Sequence, residues 1–170
     1  MRIHVQGLPF NQDFSTEFQI PTSAFIEEHP DHPDSEPHFL TPVDCKVTLR
    51  KMSVDEILMT FTAKSLIEPI CDRCTEPYQW PFEIQSSLLC KPLTRDPVEM
   101  EEEDEGLIYF TKQELHLDQI IREQIFLALP MQYTCDENCQ GLCPGCGANL
   151  NDGDHDCKRA KFIEHKAKVL

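Results

Sequence analysis

Three stretches of the chain are dominated by β-branched and apolar residues, most regularly with a period of two in Cys45–Leu49, and again in Glu56–Thr62 and Trp80–Ile84, the last continuing to Cys90. That period, with its β-branched and aromatic residues, predicts half-buried strands, and their short separations predict an antiparallel meander. Residues 1–20 alternate more weakly, as further strands would. Residues 21–42 hold Pro21, Pro30, Pro33, Pro37 and Pro42 among acids and histidines, a composition that predicts a loop. Leu107–Phe110 reads as one more short strand. Beyond it Leu117, Ile120, Ile121, Gln124, Ile125 and Ala128 recur at helical spacing, with Asp118 placed to cap the start and Pro130 to end the helix. A lone meander leaves one face bare, so this helix is expected to lie on it. The pattern predicts an α+β fold over residues 1–130, an antiparallel β-sheet meander covered by one main helix.

Length is compatible with this: 170 residues suffice for one domain, which at this size buries roughly 70% of the unfolded chain's surface. Charge adds something the hydrophobic pattern does not show. Residues 1–157 hold ten Lys/Arg against 29 Asp/Glu, whereas residues 158–170 hold five bases and one acid. A body of that sign repels phosphate, so any direct nucleic-acid contact is expected through the basic tail, with Lys158, Arg159, Lys161, Lys166 and Lys168 as candidates, or through a local patch, or else the chain binds a basic protein. A frayed, solvated terminus is the plainer alternative for the tail. Seven carboxylates fall between Asp96 and Glu105, a density that cannot bury apolar area, and residues 96–106 are expected to form an acidic loop.

The strongest chemical signal is four tight pairs of metal-ligating residues: Cys71/Cys74, Cys135/Cys139, Cys143/Cys146 and His155/Cys157. Two thiolates two or three residues apart reach one metal ion, and two such pairs complete the tetrahedral shell that zinc prefers. Nine cysteines also suit a disulfide framework, so the compartment matters. The first ten residues lack the apolar core of a secretory signal, and no apolar run approaches the ~20 residues of a membrane span. A cytoplasmic, reducing location is therefore expected, with metal ligands rather than bridges and no membrane contact.

Spacing suggests that Cys71, Cys74, Cys135 and Cys139 form one site while Cys143, Cys146, His155 and Cys157 close a second, local one, giving two zinc ions. A competing partition joins Cys71/Cys74 to Cys143/Cys146 and strands the other pairs. Residues 131–157 contain only Met131, Tyr133, Leu142 and Leu150 as large apolar side chains, so this cysteine-rich lobe depends on metal to fold. Cys45 and Cys90 lie inside strand patterns and read as small buried hydrophobes.

The run Cys71-Asp-Arg-Cys-Thr-Glu-Pro-Tyr78, the helix Asp118–Pro130 and the run Cys139-Gln-Gly-Leu-Cys-Pro-Gly-Cys-Gly-Ala-Asn-Leu-Asn151 resemble the bacterial YceD-like family, the large ribosomal RNA subunit accumulation proteins. The resemblance covers roughly residues 40–157. It departs at His155-Asp-Cys157, where the family has Cys-x-Cys, and imidazole replaces thiolate on zinc without difficulty. It implies a cytoplasmic factor for the synthesis, processing or stability of large-subunit (23S) rRNA, with no catalytic residues. Combined with the charge, it implies a scaffold that holds a basic ribosomal protein and touches the rRNA or its precursor by the tail or the cysteine lobe. A zinc-ribbon interaction module with no ribosomal role is the alternative.

Enzyme classes fit the residues poorly. Cys139-x3-Cys143-x2-Cys146 has the spacing of a radical-enzyme iron–sulfur motif, but the chain lacks the strand–helix alternation of the barrel those enzymes need. A zinc deaminase requires H-x-E before P-C-x2-C, and none precedes Cys143. Eight ligands in two sets of four leave no open coordination position for a reaction, and no small-molecule substrate is expected. Cys71-x2-Cys74 lacks the βαβ context of a thioredoxin, and Asp152, Asp154 and Asp156 lack the glycine and distal glutamate of a calcium loop.

Overall fold

A computed structural model describes residues 1–25, 38–93, 106–111, 113–153 and 155–157. The basic tail and almost all of the 96–106 acidic stretch lie outside the described residues. Among the described residues, eight strands and one α-helix follow in the order β1 (Arg2–His4), β2 (Asp13–Ile20), β3 (His38–Phe39), β4 (Val43–Lys51), β5 (Ile57–Glu68), β6 (Trp80–Pro92), β7 (Leu107–Phe110), β8 (Glu114–His116) and α1 (Leu117–Ala128). The main sheet has the order β2-β4-β5-β6-β7, with β3 pairing β5 off this path.

Alternation builds the centre of this sheet. In β4 the buried positions are Val43, Cys45, Val47, Leu49 and Lys51, and in β5 Ile57, Met59, Phe61, Ala63 and Ile67. The antiparallel register sets Cys45 opposite Ala63, Val47 opposite Phe61, Leu49 opposite Met59 and Lys51 opposite Ile57, so the two buried rows face the same way. The other face is polar. Asp13 binds Arg50 through two hydrogen bonds of 2.6 and 2.7 Å, and Ser15 meets Thr48 at 3.0 Å on the neighbouring rung. Lys51 is the exception among the inward residues, buried with its ammonium 4.5 Å from the centroid of the Phe10 ring.

The sheet is not a pure antiparallel meander. β6 and β7 pair in parallel, Leu89 opposite Leu107 through to Pro92 opposite Phe110. A parallel neighbour needs a connection of roughly a dozen residues or more to bring the chain back to the same end, and residues 93–106 supply that length. The first strand also leaves the main sheet: β1 pairs antiparallel with β8 in a separate two-stranded ribbon.

The helix occupies the span its spacing predicts and buries Leu117, Ile120, Ile121 and Ile125. Its end follows from Pro130, since the residue before a proline avoids helical backbone and Leu129 is extended. Asp118 does not cap it. The N-cap position is His116, without a side-chain hydrogen bond, and Asp118 sits in the first turn 2.7 Å from the Met1 ammonium. Burial disfavours the Asp118 carboxylate, but the hydrogen bond and charge of that ammonium outweigh it and hold the pKa below the ordinary value.

The chain divides into two compact units. The first contains Phe39–Leu66, Pro81–Leu129 and residues 1–25, and holds nearly all of the main sheet and the helix. The second takes in Ile67–Trp80 together with residues 130–157. All eight paired ligands belong to the second unit.

Candidate metal centre

The second unit is organised around two cysteine knuckles of the same shape. At Cys71-Asp-Arg-Cys74-Thr75 the Thr75 N–H donates to the Cys71 carbonyl at 2.8 Å, and at Cys143-Pro-Gly-Cys146-Gly147 the Gly147 N–H donates to the Cys143 carbonyl at 2.8 Å. Closing such a turn requires left-handed backbone at its last residue, φ +61° at Thr75 and +77° at Gly147. Glycine adopts that conformation freely, whereas β-branched threonine does so at a cost. Each turn aims two sulfurs to one side.

Partners far along the chain complete the first group. Cys71, Cys74, Cys135 and Cys139 bring their sulfurs within 4.8 Å of one another. Cys71 and Cys139 are separated by 3.9 Å and Cys74 and Cys135 by 3.7 Å. A tetrahedron with ~2.3 Å metal–sulfur bonds has sulfur–sulfur edges of about 3.8 Å, so the spacing suits a shared ion and is far too long for disulfides. Asp72 aligns the two segments: its N–H donates to the Tyr133 carbonyl at 2.8 Å, and its carboxylate accepts from the Tyr133 N–H at 2.6 Å. Arg73 donates to the carbonyls of Glu137 and Cys139 at 3.3 and 3.2 Å. Three of the four cysteines are buried, with Tyr78 packed against them.

The second group, Cys143, Cys146, His155 and Cys157, also lies within 4.8 Å, with Cys146 Sγ 3.0 Å from His155 Nε2. It is more open, since Cys146 and His155 are exposed. A small hairpin carries it: Leu142 bridges Asn149, the Cys143 N–H donates to the Ala148 carbonyl at 2.8 Å, and the Leu150 N–H to the Gly141 carbonyl at 2.9 Å.

The electrostatics of the first group are those of a cation site. Burial opposes ionisation of Cys71, yet donors from the Cys135, Cys74 and Arg73 backbone and from the Cys74 thiol bring its pKa down to about 6. Cys139 is likewise lowered, against burial, by the Asn151 amide and the Gly141 N–H. Burial and the neighbouring sulfurs push Cys135 up to about 12. Cys71 and Cys139 are thus shifted toward the thiolate while Cys74 and Cys135 are shifted toward the thiol, and a divalent cation would favour the thiolate at all four.

A model of the family "Large ribosomal RNA subunit accumulation protein YceD" matches residues 59–167, which include all eight ligands. The chain belongs to this family. It is 30% identical over 142 residues to the large ribosomal RNA subunit accumulation protein YCED homolog 1, chloroplastic, of Zea mays, covering 66% of this chain and 45% of that protein. The homolog of the same name from Arabidopsis thaliana is 29% identical over 161 residues, covering 76% and 46%. An uncharacterized protein of Mycobacterium tuberculosis is 31% identical over 124 residues, covering 68% and 59%. The chain thus spans about half the length of the curated relatives it matches. No solved structure matches it.

The structure gathers the ligands in the two sets that spacing suggested and does not join Cys71/Cys74 to Cys143/Cys146. Cys45 and Cys90 stay apart from both groups, buried as thiols in the main sheet; burial pushes each pKa up to about 12, with the Asp44 charge adding at Cys45. The candidates Lys158, Arg159, Lys161, Lys166 and Lys168 lie outside the described residues. Four contributors escaped sequence reasoning: Asp72, which aligns the two segments, Arg73 as a clasp, Thr75 as a strained turn residue, and Asn151, which donates to Cys139 Sγ at 3.4 Å. Only Asn151 left a trace, in the Asn-Leu-Asn run typical of side-chain-to-backbone turns. No helix among the described residues is long and apolar enough to cross a membrane.

Proposed function

We propose that the protein is a non-catalytic ribosome-biogenesis factor that supports the synthesis, processing or stability of large-subunit (23S) rRNA in the cytoplasm, with two zinc ions as structural staples. The family match across both cysteine groups carries this reading. All eight ligands come from the protein in two sets of four, which suits structural zinc; a reacting site would keep one position open. Zinc bound there would join segments that the chain otherwise holds with few apolar contacts, and the ligands release protons to receive it. The acidic body fits a basic ribosomal protein as its direct partner, with the rRNA or its precursor reached through the tail.

The test is capture of the tagged chain from native cells at low and moderate salt, with zinc, RNA and proteins measured in one eluate. About two zinc ions per chain, large-subunit precursor RNA and a basic ribosomal protein that leaves as salt rises are expected. Non-ribosomal partners at both salts would replace this reading with a zinc-ribbon interaction module.

A further inference from the structure

Asn151 sits in the loop between Cys146 and His155 of the second group, yet its side chain serves the first. Its Nδ2 donates to Cys139 Sγ at 3.4 Å, and its Oδ1 accepts from the Gln140 N–H at 2.8 Å. The residue is itself held: Asn149 Oδ1 accepts from the Asn151 N–H at 3.0 Å and from its Nδ2 at 2.8 Å. Asn149 in turn pairs with Leu142, one residue before Cys143. Besides its backbone hydrogen bonds and the second group's own ligands, little holds this hairpin closed, because Leu142 is exposed and Leu150 only half-buried.

We infer that the two metal centres are coupled, with Asn151 as the positioning residue. This rests on the metal reading above. Filling the second group fixes the hairpin, and the fixed hairpin delivers an N–H donor to a thiolate ligand of the first. Donors to a ligating group typically raise metal affinity 10–100-fold. By linkage, filling the first group aids the second by the same factor. The two centres therefore load together. The second group, although more open, is retained in part by the buried one.

Cobalt(II) titration of the metal-free full-length chain tests this, because four-sulfur and three-sulfur–one-nitrogen centres absorb differently and are followed separately. Asn151→Leu removes the donor and keeps the size, so cobalt at the first centre is expected to bind about 10–100-fold more weakly while the second still fills. His155→Ala, which weakens the second centre, is expected to weaken the first by a similar factor. Combining the two substitutions is expected to add nothing further at the first centre, because both act through one hydrogen bond. Unchanged first-centre affinity in Asn151→Leu, or fully additive effects, would overturn the coupling and leave the metal reading intact. If the unsubstituted chain shows no thiolate–cobalt absorption, the metal reading falls and takes the coupling with it.

Discussion

Gly141 and Gly147 allow conformational strain and steric contact in the cysteine-rich unit to be separated. Both have positive φ, +72° and +77°. A Cβ at Gly147 meets nothing within 4 Å, whereas a Cβ at Gly141 falls 2.9 Å from the Arg73 carbonyl oxygen, a backbone atom that cannot swing away. Alanine at either site incurs about 1–2 kcal/mol for left-handed backbone, offset by about 0.4–1 kcal/mol of lost freedom in the unfolded chain. Gly147→Ala is therefore expected to weaken the unit by about 1 kcal/mol or less. Gly141→Ala adds the cost of forcing a packed turn apart, about 1–3 kcal/mol. Its total of about 1–4 kcal/mol corresponds to roughly 5- to 1,000-fold in zinc affinity. Competition with a chelator of known affinity measures both variants, and Gly141→Asn serves as a control, because asparagine tolerates the backbone but keeps the Cβ. Equal losses for Gly141→Ala and Gly147→Ala would refute the steric account, as would full recovery in Gly141→Asn.

Three further outcomes follow from the buried and the paired cysteines. With metal removed and the cysteine-rich unit thereby opened, the chain is expected to take up seven alkyl groups, leaving Cys45 and Cys90 in the sheet unmodified until denaturant is added; mass spectrometry counts them, and nine adducts without denaturant would contradict the burial of those two thiols. Because Cys45 and Cys90 are raised to about 12 in the fold, stability is full below pH 9 and falls as pH rises from 9 to 12, by on the order of 1 kcal/mol per thiol at pH 10. Urea unfolding at pH 8 and 10 reads this, and Cys90→Val should remove about half of the difference. Cys146→Ser is expected to expose residues 142–157 to limited proteolysis while the far-ultraviolet dichroism of the sheet is kept, and a digestion pattern identical to the parent's would count against metal holding that segment.

What the sequence disclosed and what it withheld divide along the range of the interactions. β4 and β5 were legible because one face of each is buried, which writes a period of two directly into Val43–Lys51 and Ile57–Glu68. The paired ligands were legible because a knuckle is a local turn. Their assignment into groups rested on a weaker argument, that no pair be stranded, since Cys71 and Cys139 meet across 68 positions of chain. The parallel pairing of β7 with β6 depends on the path of a long connection and leaves no periodic trace, and the same holds for the ribbon of β1 with β8. Asp118 was misread as a cap because its ammonium partner comes from the opposite end of the fold's sequence, where no local rule reaches. Asn151 is the sharpest case: its role depends on a sulfur contributed by a different knuckle's partner.

Metal binding would make the second unit no less acidic, and that bears on what it touches. Its described residues carry Glu68, Asp72, Glu76, Asp136, Glu137, Asp152 and Asp156 against Arg73 alone. Arg73 is itself directed at the backbone carbonyls of Glu137 and Cys139. Four thiolates exceed the charge of a divalent ion by two, and three thiolates with an imidazole exceed it by one. The loaded unit would thus stand near −9. Zinc modules that grip nucleic acid present lysine and arginine to phosphate, and their counterion release supplies most of the affinity. Here that source has the wrong sign. An acidic, metal-stapled surface is instead suited to a protein partner rich in lysine and arginine, which it would hold until RNA, with its denser negative charge, competes for the same groups. Under the proposed function, the unit's part in large-subunit rRNA accumulation would be to hold an RNA-binding protein ready for the RNA.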